Sequence, residues 1–175
     1  MGYAVTHVII AIVLIDLYRD YVAKKKFSTW FVLIGGIAGL LPDLDVPLQW
    51  LATAVVGEAV YIHRVVTHSL FLVGVLLLLA VPFYMHRTLE IKVFKKKIPF
   101  EFVAIFFTVI AFGWLTHIAL DCALAGDFNL TWFPGHPLGF CPHPFSSDAL
   151  LGLDAIILML WLIHEEWAKK IKDFI

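Results

Sequence analysis

The sequence predicts an all-α fold, a polytopic membrane helical bundle of about five transmembrane helices with short and interfacial segments. Three observations carry this expectation. The chain is 61% hydrophobic and only 15% charged, with a mean hydropathy of +0.89, well beyond the roughly half-apolar composition of soluble domains. Its apolar residues fall in five separate runs, and lipid offers no partner to a free backbone, so each run is expected to be helical. Its basic residues cluster after alternate runs, as back-and-forth threading requires. The 175 residues are expected to form one integral membrane domain, 1–175.

The first run, Ala4 to Tyr18, has positive charge after it and none before it, the reverse of a cleaved signal peptide, so it reads as a retained helix that starts outside. The opening residues also fit a short myristoylation pattern, but an outward N-terminus would not meet a cytoplasmic acylating enzyme. In the second run, Trp30 to Leu41, Gly35, Gly36 and Gly39 suit close helix contact, and Pro42 ends it. The third, fourth and fifth runs are Ser69 to Met85, Phe100 to Leu120 and Ala149 to Ile163. Several are shorter than the roughly 20 residues of a full span.

Arg19 and Lys24 to Lys26 follow the first run, Arg87, Lys92 and Lys95 to Lys97 separate the third from the fourth, and Lys169, Lys170 and Lys172 follow the fifth. Threading collects them on one side, which the positive-inside rule makes cytoplasmic. The expected location is the cell or inner membrane, N-terminus outside and C-terminus cytoplasmic. Of the 13 basic residues only Arg64 falls on the opposite face. Basic residues confined to short connectors between apolar helices imply no nucleic-acid partner.

The same threading brings seven metal-ligating side chains to the outer face: His7, Asp43, Asp45, His63, His68, His117 and Asp121. None of them entered the topology argument. All but His7, which lies near the outer end of the first run, fall in three short segments, LPDLD (Leu41 to Asp45), HRVVTHS (His63 to Ser69) and THIALD (Thr116 to Asp121), beside strongly apolar runs where each costs several kcal/mol unless paired or metal-bound. His117 and Asp121, four apart, share a helix face and suit one cation, although alone they also read as a hydrogen-bonded pair at a helix end. Asp43 and Asp45 flank one residue after Pro42, in an extended or turn segment able to reach different cations or to bridge two. His63 and His68, five apart, are too far round for one helix face, so His63 belongs to the approach and His68 to the first turn of the third helix, with Thr67 or a neighbour as its cap. Arg64 cannot ligate a metal, but its fork of donors suits a phosphate or carboxylate.

Mixed imidazole and carboxylate donors favour zinc, are compatible with manganese or iron, and disfavour calcium and magnesium. Seven candidates exceed the three or four ligands one zinc takes. Either two ions share the site or some of the seven orient the others. The matching chemistry is metal-assisted hydrolysis, with Asp43 or Asp45 as general base and Arg64 holding a substrate charge. A site at the membrane boundary meets lipid headgroups or lipid-linked carriers, so the expected substrate is a lipid or lipid-linked phosphoester. Two other classes compete: a metal ion transporter, which needs ligands along a path to both faces, and a non-catalytic assembly protein whose metal staples the helices.

In order and spacing, LPDLD, HRVVTHSL, HIALD and the Trp/Phe/Pro-rich loop from Trp132 to Phe145 resemble the YdjM-like membrane-bound metal-dependent hydrolases. The resemblance runs from His7 to about Ser147. The His/Asp pattern is more loosely similar to zinc-dependent phospholipase C proteins. The resemblance implies a metal-dependent hydrolase with functional positions at His7, Asp43, Asp45, His63, Arg64, His68, His117 and Asp121. Two features depart from the family pattern. Val65 and Val66 stand where a glycine-containing turn is expected, and the loop from Gly126 to His143 is longer than usual.

In that loop His136 and His143 are further candidate ligands, equally readable as ordinary interfacial residues. Cys122 and Cys141 lie on the outer side, where a disulfide is permitted, although Cys122 also reads as a buried core thiol. Asp154, inside the fifth run, is an intramembrane acid with an expected role beside a ligating histidine.

Overall fold

The computed structural model describes residues 4–24, 27–61, 66–93, 96–125, 131–134, 136–139, 141 and 147–167. All five apolar runs are helical. Helix α1 spans Ala4–Leu17, α2 Trp30–Ala38, α4 Leu70–Met85, α5 Phe100–Leu120 and α6 Ser147–Trp167. A sixth helix, α3, spans Asp45–Val56 and follows a 3-10 turn at Leu41–Leu44. The acidic motif therefore lies in a tight helical turn rather than an extended segment. Pro47 falls in the first turn of α3, where its missing N–H costs nothing.

Among the described residues only one helical stretch, Phe100–Leu124, is long and apolar enough to cross a membrane. Trp30–Ala38 and Leu41–Val56, bent by 50°, make a second if the pair is one span. The expectation of about five transmembrane helices is therefore corrected. Helices α1 and α4 form where expected, but with 14 and 16 residues they fall short of the roughly 20 that the hydrocarbon layer requires. The all-α expectation holds in the main, with two small antiparallel pairs added. Strands β1 (Glu90–Val93) and β2 (Lys96–Pro99) pair with Lys92 opposite Lys97, and Lys97 bridges to Glu90 at 3.1 Å. Strands β3 (Thr131–Phe133) and β4 (His136–Pro137) form the other.

Glycine sets how closely the helices approach. A Cβ added at Gly113 of α5 would run into the Gly35 carbonyl oxygen and lie 2.9 Å from Ala38 Cβ, so α5 rides directly on the α2 backbone. A Cβ at Gly35 or Gly36 would strike Ile15 or Ile12 of α1 in the same way. Ile12, Ile15, Phe31, Val32 and Val109 fill the core where the three helices meet. A second cluster, Val73, Ala111 and Ile118, joins α4 to α5. Helix α3 buries only Asp45 and Val46 and leaves Leu48, Trp50, Leu51, Val55 and Val56 exposed, an apolar surface suited to lipid.

Chain direction then places the site. Helices α1 and α4 begin, and α2 and α5 end, at the same end of the bundle; the β1–β2 hairpin and Arg19 lie at the other. Arg19 there is held by Asp20 at 2.9 Å and Asp16 at 3.5 Å.

Candidate metal centre

Four donor atoms converge where these helix ends meet. His68 Nε2 and His117 Nε2 are 3.2 Å apart. Asp121 Oδ2 lies 3.4 Å from the first and 3.5 Å from the second, and Asp43 Oδ1 lies 3.5 and 3.6 Å from the same two nitrogens. A tetrahedral zinc shell with ligands at ~2.0–2.1 Å has edges of about 3.4 Å. The spacing thus fits one small cation bound by two imidazoles and one or two carboxylates.

The polarity of the rings fits as well. His117 Nδ1 lies 2.7 Å from the Gly39 carbonyl oxygen, which can only accept, so Nδ1 carries a proton and Nε2 is the ring nitrogen left to face inward as a ligand. Gly39 also packs closely on α1: a Cβ there would lie only 3.0 Å from the His7 carbonyl oxygen. The Thr67 hydroxyl donates to Asp45 Oδ2 and lies 3.0 Å from His68 Nδ1, so it accepts from that nitrogen and leaves His68 Nε2 facing His117. Two inward lone pairs at this distance repel unless a positive charge lies between them. Burial disfavours a charged His68, but hydrogen bonds to Asp121 and Asp43 and the charges of Asp121 and Asp45 outweigh it and raise its pKa above the usual imidazole range. A proton can therefore fill the role of a cation here.

Each remaining candidate has a definite place. His7 is buried on α1, its Nε2 3.2 Å from Asp121 Oδ1 and its ring 4.1 Å from that of His117. It forms a second possible donor group with His117 and Asp121, beside that of Asp43, His68 and His117. Asp45 is fully buried on the far side of His68, its Oδ2 3.7 Å from Nδ1. Asp43, with 42% of its side chain exposed, is the most open of the donors. His63, Arg64 and His143 lie outside the described residues. His136 is exposed beside Trp132 and Phe133 and belongs to neither donor group.

Several further contacts support these residues. Of Thr67 and its neighbours, expected to cap α4, Ser69 takes the cap position, while Thr67 joins Asp45 to His68. The indole of Trp114 donates to the Thr67 carbonyl at 2.6 Å. Thr131 of β3 donates to the His68 carbonyl at 3.0 Å, and a Cys122–Cys141 disulfide ties the same loop to the residue after Asp121. The disulfide is one of the two readings the sequence left open for Cys122; of the other contacts, only the closeness of Thr67 to His68 in sequence signalled any.

No curated protein and no solved structure matches the chain. It does match the YdjM inner membrane protein family over residues 1–171, nearly its full length, and it belongs to that family.

Proposed function

We propose that the protein is a metal-dependent hydrolase acting on a phosphoester of a lipid or lipid-linked substrate at the outer face of the membrane. The observation that carries this reading is the difference among the four donors. His68, His117 and Asp121 are buried and mutually within 3.5 Å, which matches the three protein ligands of a catalytic zinc site. Asp43, the fourth, is partly open to the outside.

A divalent cation, zinc by donor chemistry, supplies Lewis-acid polarisation and lowers the pKa of water. Around it, His68, His117 and Asp121 act as ligands and Asp43 takes the proton from the attacking water as general base. Asp45 and Thr67 hold the His68 ring, the Gly39 carbonyl holds the His117 ring, and His7 steadies the outer oxygen of Asp121. Arg64, four residues before His68, is assigned to the substrate phosphate. The apolar face of α3, which begins at Asp45, supports a lipid substrate. The outward orientation is supported by basic connectors at the opposite end and by a disulfide at the site end, since disulfides persist in oxidising spaces.

The test is elemental mass spectrometry on detergent-purified protein, with phosphoester-lipid hydrolysis measured alongside. Wild type should hold one or two divalent ions per chain, and His68→Ala and Asp121→Asn should lose them. Asp43→Asn should keep the metal and lose activity 10²- to 10⁴-fold, the usual weight of a general base. One observation favours a second reading, a structural staple: Asp43 Oδ1 lies within 3.6 Å of both imidazole nitrogens, close enough to serve as a further ligand. That reading gains if Asp43→Asn releases the metal and no phosphoester lipid is cleaved.

A further inference from the structure

We infer that Asp154 is a positioning residue for the metal centre, acting from α6 through Thr6 and His7; the inference rests on the metal reading above. Asp154 lies in the apolar stretch LLGLDAIILMLWL of α6, where an ionisable group is costly without partners. Its Oδ1 accepts the backbone N–H of Thr6 at 2.8 Å and also the Thr6 hydroxyl. Thr6 is fully buried and is the third residue of α1.

The first N–H groups of a helix have no partner within it and normally take one from a capping side chain just ahead in the chain. Here a carboxylate 148 residues away does so. The residue it anchors directly precedes His7, whose Nε2 meets Asp121 Oδ1 at 3.2 Å, while the other oxygen of Asp121 faces both His68 and His117. Fixing the first turn of α1 thus fixes His7, and His7 fixes the rotation of the Asp121 carboxylate. Helix α6 packs on α1, so docking of the last helix sets the geometry of a ligand on α5.

The test compares wild type, Asp154→Ala, Asp154→Asn, His7→Ala and the double variant His7→Ala/Asp154→Ala, as full-length protein in detergent. The readouts are zinc affinity by chelator competition and the visible spectrum of bound cobalt(II). Asp154→Ala should weaken zinc about tenfold, as loss of a supporting partner does, and shift the cobalt bands. Asp154→Asn, which keeps an acceptor oxygen for Thr6, should restore both. In the His7→Ala background, Asp154→Ala should change neither. Equal losses with and without His7 would show a general packing role and overturn the inference, as would an unchanged cobalt spectrum in Asp154→Ala. A wild type that binds neither zinc nor cobalt would instead overturn the metal reading itself.

Discussion

His68 and His117 direct their Nε2 atoms at each other across 3.2 Å, while each is held from behind by its Nδ1, one by Thr67 and the other by the Gly39 carbonyl. Neither ring can turn away without losing its partner. The pair is thereby set to share a positive charge, and the surrounding carboxylates determine how strongly it is held.

Asp45 distinguishes orientation from ligation. It is fully buried on the Nδ1 side of His68, with the Thr67 hydroxyl between. Asp45→Asn should weaken zinc binding about 10- to 100-fold, the usual effect of losing a partner of a ligating histidine, and leave the stoichiometry at saturation unchanged. Chelator competition measures the first and elemental analysis the second.

The metal-free protein should lose stability as pH rises. The raised pKa of His68 in the fold means that the folded state binds its proton more tightly than the unfolded chain. The contribution is fully present below the ordinary imidazole pKa, about 6.5, and disappears as pH climbs through the raised value. Urea unfolding of chelator-treated protein across pH 5 to 9 should show this decline, and His68→Gln should flatten it.

Gly113→Ala tests the closest helix contact. Alanine favours a helix over glycine by about 1 kcal/mol, but here its Cβ meets backbone, the Gly35 carbonyl, and overpacking of this kind costs about 1–3 kcal/mol. The expected result is a lower melting temperature in detergent and weaker zinc binding, because His117 lies one turn further along α5. Gly74→Ala, with open space around its Cβ, should be neutral or slightly stabilising.

The Cys122–Cys141 disulfide closes a 19-residue separation, and a loop of that size is worth about 3 kcal/mol. Cys122→Ser/Cys141→Ser should lower stability by that order. It should also loosen metal binding, since Cys122 adjoins Asp121 and β3 braces His68 through Thr131. Reduction of the wild type with dithiothreitol should reproduce both effects; thermal melts and zinc titration read them.

The helices were legible because apolar runs bounded by Pro42, Pro99 and charge clusters leave few alternatives. The candidate ligands stood out because carboxylates and imidazoles beside such runs need a reason to be there. Helix α3 was missed because VPLQWLATAVV carries a proline at its second position and mixes polar with apolar residues, which reads as a connector. The β1–β2 hairpin was hidden in a lysine run whose charge outweighed its alternation. The number of spans was overcounted because apolar character marks a helix, whereas crossing requires length, and α1 and α4 stop short. Which face of each ring points inward depends on Gly39, Thr67 and Asp45, contacts made across distant parts of the chain that spacing does not encode.

Each donor of the candidate centre belongs to the beginning or end of a helix rather than its middle: His7 early in α1, Asp43 in the turn after α2, His68 before α4, His117 and Asp121 at the close of α5. A cation held there would be gripped by helix ends alone, so the donor set exists only once α1, α2, α4 and α5 have been brought to the same end of the bundle.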